Sequence, residues 1–272
     1  MPLLVCATPI GNLEDVTIRV LEALRKADAV LCEDTRRTKV LLDRYEIRAR
    51  SLVTVHRHNE ARQAHDLVPR LSAGETLALV SDAGLPGVND PGGRLVSAAL
   101  EAGVEVTVLP GPSAVETALV ASALAAAQYR FLGYLPRRAA ELDALWHESR
   151  DWPYAAVAFE SPKRLPTSLA ALARIDPERR VAVCRELTKR FEEVVRGTAA
   201  EVEGRFREAP KGEITVVLGQ PAARPRSLDD AVAAVRDLVA AGSARGAAAD
   251  AVARLSELPR NELYRRSLTA PD

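Results

Sequence analysis

Charged and hydrogen-bonding side chains are not spread evenly along the 272 residues but gather in short clusters between apolar runs. Glu33-Asp34-Thr35-Arg36 sets two carboxylates beside a guanidinium, and His56-Arg57-His58-Asn59-Glu60 follows. Further on, Arg185-Glu186-Leu187-Thr188-Lys189 brings a lysine, with Glu192-Glu193 close behind. Carboxylates and an amine so grouped can move protons or hold an ion. Other clusters are rich in glycine and proline: Thr8-Pro9-Ile10-Gly11-Asn12-Leu13, Ser81 to Gly93, and Pro110-Gly111-Pro112-Ser113-Ala114. One such loop is ordinarily just a turn, because these residues accept tight or positive-φ geometry. Five clusters in succession, each after an apolar run, point instead to a ligand held along one edge of a sheet.

Some chemistries are disfavoured. No GxGxxG follows the first apolar run and no GxxxxGK[ST] occurs, so neither a dinucleotide site nor a P-loop is expected. His56 and His58 would share one strand face, yet no third ligand stands nearby, so no metal site is expected. Cys6, Cys32 and Cys184 lie in apolar runs without CxxC spacing and read as small buried hydrophobes.

The elements that must position these groups are legible as a cadence. Leu3 to Ala7, Ala29 to Cys32, Leu52 to Val55, Leu77 to Val80 and Val104 to Leu109 are strand-like runs, alternating with helical patterns such as Ile18, Leu21, Leu24 and Arg94 to Ala102 closed by Gly103. Such alternation predicts a parallel sheet, whose ligands bind beyond the carboxyl ends of the strands. Phe131-Leu132, Ala155 to Phe159, Val181 to Cys184, Val194-Val195 and Ile214 to Leu218 are spaced more closely and predict a second, mixed sheet. Charged groups follow these strands too, in Glu160-Ser161-Pro162-Lys163-Arg164 and Arg185 to Lys189. Pro221 to Pro225 reads as a linker. Ser227-Leu228-Asp229-Asp230 has the form of a capping box, opening a helix with Val232, Val235, Leu238 and Val239 on one face. Two short helices follow, divided by Gly242, Gly246 and Pro259.

Balanced charge, 37 Lys and Arg against 37 Asp and Glu, argues against a globally basic nucleic-acid binder but permits local basic clusters. The apolar stretches, such as Ala118 to Ala127, are too short to span a membrane. The beginning of the chain has no basic, signal-like region and runs straight into a strand, so a cytoplasmic protein is expected.

Read in order, Thr8 to Leu13, Glu33 to Arg36, His58-Asn59-Glu60, Ser81 to Gly92, Phe131 to Pro136, Glu160 to Arg164 and Arg185 to Lys189 closely resemble the motifs of the ribosomal RNA small subunit methyltransferase I family. These are ribose 2′-O-methyltransferases within the tetrapyrrole methylase superfamily. The resemblance covers residues 3 to 219, with further likeness at Asn261-Glu262-Leu263-Tyr264. It departs at Leu85, where threonine is expected, at Asn89, where serine is usual, and at Lys163, often histidine.

The resemblance implies an α/β, two-domain, tetrapyrrole methylase-like (class III methyltransferase) fold: residues 1–111 with a parallel sheet, 112–221 with a mixed sheet, and a small helical C-terminal region, 226–272. It implies S-adenosyl-L-methionine as cofactor, folded in a cleft between the two α/β domains. By position, Pro9 and Gly11 would shape the floor. Asp82, Ala83, Gly84, Val88 and Asp90 would form the flank, and Ser113 and Ala114 the domain junction. Phe131, Leu132, Leu187, Glu213 and Ile214 would close over the adenosine. Lys189, Glu33, Asp34 and Arg36 would face the methyl group, a carboxylate or the lysine assisting proton loss and the arginine holding phosphate.

The implied substrate is a cytidine ribose in the decoding region of 16S rRNA in the small ribosomal subunit, with no membrane partner and with homodimers common. Arg36, Arg37, Arg57, Arg137, Arg138 and Arg164, and Arg260, Arg265 and Arg266 in the tail, are candidate phosphate contacts. Two readings compete: methylation of a tetrapyrrole in the same cleft, and a non-catalytic cofactor- or RNA-binding module.

Overall fold

The computed structural model describes residues 2–221, 228–256 and 258–268. Contacts divide the chain into two compact units, Met1–Gln220 and Pro221–Asp272. The first holds two five-stranded sheets.

Strands β1 (Leu3–Cys6), β2 (Ala29–Cys32), β3 (Leu52–Thr54), β4 (Leu77–Val80) and β5 (Val106–Leu109) pair in the order β3-β2-β4-β1-β5, all parallel. β2 and β4 are buried at every residue, as strands covered on both faces must be. Helices α1 (Ile18–Lys26) and α2 (Thr35–Arg44) pack on one face through Val20, Leu24, Leu41 and Leu42. Helices α3 (Glu60–Ser72) and α4 (Gly93–Glu101) cover the other through Leu67, Leu71, Leu95 and Ala99. β1 and β4 are neighbours, yet the loop after β1 leads to α1 on one face and the loop after β4 to α4 on the other. Between them lies the crevice at which open α/β sheets take their ligands.

After α5 (Ala114–Ser122), the second sheet forms from β6 (Tyr129–Tyr134), β7 (Ala155–Glu160), β8 (Arg180–Arg185), β9 (Glu193–Thr198) and β10 (Ile214–Leu218), in the order β6-β7-β10-β8-β9. β6 and β7 are parallel and the other pairings antiparallel, so the sheet is mixed as predicted. α5 covers one face of this sheet. α6 (Ala139–Ser149), α7 (Leu165–Ile175) and α8 (Ala199–Arg205) cover the other around Trp146, Leu169 and Val202. The pairings Ile214↔Glu160, Ile214↔Arg185 and Arg185↔Glu193 bring the charged clusters to a single edge.

The second unit comprises α9 (Leu228–Ala240), α10 (Arg245–Ser256) and α11 (Arg260–Arg266), closed around Val232, Val235, Ala249 and Leu263. Leu238, expected on the buried stripe, is instead 38% exposed. Gly246 falls in the first turn of α10 rather than between helices. The expected capping residue Ser227, and the expected linker beyond Pro221, lie outside the described residues. Among the described residues no helix is long and apolar enough to cross a membrane.

Candidate active site

The crevice is closed at its base by a short bridge between the ends of β1 and β4. Thr8 and Gly84 exchange backbone hydrogen bonds, Thr8 N donating to Gly84 O at 2.8 Å and Gly84 N to Thr8 O at 3.0 Å. The Thr8 hydroxyl donates to Ser81 O at 3.0 Å, and the Ser81 hydroxyl to the carbonyls of Ala83 and Gly84 at 3.3 and 3.2 Å. Gly84 has φ +78°. A β-carbon there would stand 3.8 Å from both Ile10 Cγ2 and Pro112 O, in the space where the loops after β1, β4 and β5 meet. The Ser81–Gly93 loop then turns repeatedly through positive φ, at Gly87, Asn89 and Gly92. Its far end is anchored by Glu60, a buried carboxylate whose Oε1 accepts from Gly92 N at 2.9 Å and Arg94 N at 2.7 Å. Pro9 is buried beneath, whereas Val88 is 49% exposed on the loop.

Three carboxylates converge above this base. Burial pushes the Asp90 carboxyl up to about 6, reinforced by the negative charges of Glu33 and Asp82 and opposed by Arg57. Burial also raises Glu33, with Asp82 adding to the shift and Arg57, Arg37 and His56 opposing it. Asp82 is held in place: its Oδ1 accepts from Asp34 N at 3.1 Å and its Oδ2 lies 3.5 Å from Arg37 Nε. Arg57 donates to the Asn89 carbonyl. Like charges crowded at a strand edge are what a site for a cationic group, or for a proton acceptor, requires.

The four residues expected to face the methyl group do not form one cluster. Asp34 caps α2, accepting from Arg36 N at 2.8 Å, and Arg36 clasps it with Nε at 3.1 Å and Nη2 at 2.7 Å. Those bonds hold the Asp34 carboxyl down at about 2, which makes it a poor proton acceptor and engages the guanidinium expected to hold phosphate. Lys189 Nζ lies 2.8 Å from Glu186 Oε1 and 3.0 Å from Glu213 Oε2. Burial alone would lower its pKa, but the bonds to Glu186 and Glu213 outweigh it and hold the ammonium above the ordinary lysine value. Glu33 alone of the four belongs to the carboxylate group.

Lys189 instead fixes a strained turn against the first half of the unit. Glu186 and Thr188 both have positive φ, at 52° and 65°. Thr188 Oγ1 accepts from Asn12 N at 3.0 Å, and a β-carbon on Gly11 would come within 2.6 Å of Lys189 Cγ. Glycine is therefore required at 11 by close approach rather than by its own dihedrals. Ile10, 7% exposed, inserts among Val115, Leu187 and Val217 of the second sheet's core. On the opposite flank, Gly133 (φ +67°) meets Asn89 Oδ1, which a β-carbon would approach to 3.2 Å. Loops from both sheets thus interlock around the crevice.

The residues expected over the adenosine divide between two faces of the second sheet. Phe131 and Leu187 share the α5 face with Ile10, and Phe131 packs edge-on against Phe159 at 5.0 Å. Leu132 and Ile214 point the other way, into the core with Trp146, so only their backbones can reach the crevice. Successive strand residues must alternate in this way. Ser113 donates to the Glu116 carboxylate and precedes α5, which begins at Ala114. Arg164, a candidate phosphate contact, donates to the Leu135 and Pro136 carbonyls and pairs with buried Glu160 at 3.3 Å. His56 and His58 lie past the end of β3, their rings 6.0 Å apart and edge-on, not on one strand face. Among the described residues no group of three His, Cys, Asp or Glu is placed to hold a metal ion. Ile10, Glu60 and Glu186 were not given roles by sequence, and Arg57, expected as a phosphate contact, instead meets the Asn89 carbonyl. Glu60 and Glu186 stand in motifs the sequence did single out, but the backbone groups they bind, Gly92 N and Glu213 N, lie 27 or more positions away.

Residues 2–203 match the family model described as Tetrapyrrole (Corrin/Porphyrin) Methylases. A protein of Mesorhizobium japonicum called Ribosomal RNA small subunit methyltransferase I is 43% identical to this chain, covering 98% of it and 91% of its own length. One of the same description from Halalkalibacterium halodurans is 43% identical over 78% of this chain and 73% of its own. Among solved structures, uroporphyrin-III C-methyltransferase from Thermus thermophilus complexed with S-adenyl homocysteine aligns with a TM-score of 0.57 at 19% identity, covering 80% of this chain and 97% of that one. At that identity the likeness is one of fold.

Proposed function

The chain belongs to the ribosomal RNA small subunit methyltransferase I family, within the tetrapyrrole methylases, and from that premise we propose that it methylates the 2′-hydroxyl of a cytidine ribose in the decoding region of 16S rRNA. As a member, it is an S-adenosylmethionine-dependent methyltransferase of small-subunit rRNA. The observation that carries the chemistry is the group of Glu33, Asp82 and Asp90 at the crevice between β1 and β4.

The residues fit the cofactor. Gly84 leaves the meeting point of three loops free of a side chain, the Ser81–Gly93 loop presents backbone groups, and the carboxylates suit a cationic sulfonium. Phe131, half-buried against the core that holds Ile10 and Leu187, offers an apolar ring to a nucleoside. When bound, S-adenosylmethionine supplies a methyl carbon already activated for displacement.

What the protein adds is placement and a proton acceptor. Holding the ribose oxygen in line is worth about 7–11 kcal/mol, against about 10²- to 10⁴-fold for a positioned base. The base is the Glu33–Asp90 pair: its raised pKa values lie nearer neutrality than that of Asp34, and one of its oxygens would take the 2′-hydroxyl proton as the ribose oxygen displaces the sulfur, which leaves as the neutral thioether, from the methyl carbon. Lys189, Glu186 and Glu213 position the loop over Gly11. The partition into domains 1–111, 112–221 and 226–272 and a cytoplasmic location, which rest on the sequence pattern, and a homodimer, which rests on the resemblance, complete the reading.

The test is incorporation of labelled methyl from S-adenosylmethionine into small ribosomal subunits lacking the modification, beside free 16S rRNA and uroporphyrinogen. Label in subunits or rRNA is expected. Label in uroporphyrinogen alone, or in none of the three, refutes the reading.

A further inference from the structure

The loops that interlock beside the crevice also bound a groove of about 560 Å³ whose walls include Gly11, Glu14, Arg44, Thr188, Lys189 and Arg190. One wall comes from the loop after β1 and the end of α2, the other from the turn after β8. Arg44 is held at 3.5 Å by Glu14, with its guanidinium 5.4 Å from the centre of the Tyr45 ring. Across the groove, Arg190 lies 5.5 Å from the centre of the Phe191 ring. Among the described residues no carboxylate is within ion-pair reach of Arg190. Phe191 is 65% exposed, an aromatic ring with neither core nor strand to account for it.

We propose that this groove receives the single-stranded RNA flanking the target nucleotide, one neighbouring base stacking on the Phe191 ring beside the Arg190 guanidinium while Arg44 and Arg190 meet the backbone phosphates. The inference rests on the RNA reading above and specifies where that RNA lies. Three observations converge on it. Bases of an unpaired strand are recognised by stacking on aromatic rings and arginine planes, as a folded helix does not allow. A chain of zero net charge must gather its phosphate contacts locally, and this groove has a cation on either wall. The groove also adjoins the crevice, since Gly11 on its wall belongs to the same loop after β1 as Thr8, which bridges to Gly84 at the base of the crevice.

The experiment measures methyl transfer to small ribosomal subunits lacking the modification, for the unchanged enzyme and for Phe191→Ala, Phe191→Leu, Phe191→Trp and Arg190→Gln. S-adenosylhomocysteine affinity and solution mass are measured alongside. Phe191→Ala and Phe191→Leu should raise KM for subunits roughly five- to a hundred-fold, the size of one lost base–aromatic stack, with cofactor affinity and mass unchanged. Phe191→Trp should retain a near-normal KM, because it keeps the π face. Arg190→Gln should flatten the dependence of log KM on log salt by about 0.7, one single-strand phosphate contact. Unchanged KM in Phe191→Ala overturns the proposal, as does a rise in KM accompanied by a fall in solution mass, which would assign Phe191 to a contact between copies of the chain. If the unchanged enzyme labels no RNA, the proposed function fails and this proposal with it. If it labels RNA and Phe191→Ala does so equally well, this proposal fails alone.

Discussion

At the scale of single residues, the site turns on which carboxylates are already engaged. Asp34 is clasped by Arg36, whereas Asp90 carries a charge that its surroundings disfavour. A carboxyl raised from 3.8 to about 6 binds its proton more tightly folded than unfolded, so stability attributable to Asp90 is full below the lower value and is lost as pH rises through the upper one. Asp90→Asn removes that charge. The variant should melt at a higher temperature than the parent near pH 7.5 but not near pH 4.5, while binding S-adenosylmethionine more weakly; an equal gain at both pH values would contradict this. In the parent, kcat/KM should rise through an apparent pKa near 6 belonging to the Glu33–Asp90 pair, and Asp34→Asn should leave that limb in place. Glu60 acts differently, as a bolt on the Ser81–Gly93 loop. Glu60→Ala strands the buried Gly92 N–H and the half-buried Arg94 N–H, and denaturant unfolding should show a loss of roughly 1–3 kcal/mol together with a raised KM for S-adenosylmethionine.

At the scale of elements, sequence patterning anticipates each of the ten strands among the described residues, because strands buried on both faces must be runs of apolar residues and the loops between them must be polar. It is weakest where a strand is half solvated. In β9 only Val194-Val195 stands out of Glu193–Thr198, and in β6 only Phe131-Leu132 out of Tyr129–Tyr134. The facing of Leu132 and Ile214 away from the crevice depends on pairing register in the second sheet, which no local pattern encodes. The same holds for Ile10: an isoleucine between Pro9 and Gly11 reads as a loop residue until the second sheet supplies the core it enters. Ile10→Ala should therefore cost about 2–5 kcal/mol, as for a core position, and a loss within that of an exposed loop residue would contradict the packing described. Gly11→Ala drives a β-carbon into Lys189, Thr188 and the Leu187 carbonyl. Displacing that turn by even an ångström should lower kcat by about 100-fold, read in single-turnover methyl transfer, with the folded fraction unchanged.

At the scale of the whole molecule, the crevice is one site built by both sheets of the first unit, with the sequence motifs as its loops. The sequence located those loops because chemistry concentrates glycine, proline and charge at strand ends. It could not say that Lys189 pairs with Glu213 or that Asp34 is already bound, since ion pairing is decided by which loops meet. Two of the second unit's arginines are engaged in surface ion pairs, Arg260 with Asp250 at 2.7 Å and Arg266 with Asp229 at 3.4 Å, so the tail offers less unpaired charge to RNA than its composition suggests. On the proposed function, substrate recognition lies beside the crevice and the reaction at its carboxylates. The most direct measurement is the position of the transferred methyl group. Small ribosomal subunits lacking the modification are labelled by the enzyme, and their 16S rRNA is hydrolysed in alkali, which cannot cut the phosphodiester beside a 2′-O-methyl ribose. Label is expected in an alkali-resistant dinucleotide bearing cytidine; label released as ordinary mononucleotides, with the methyl group on a base, would overturn the proposed function.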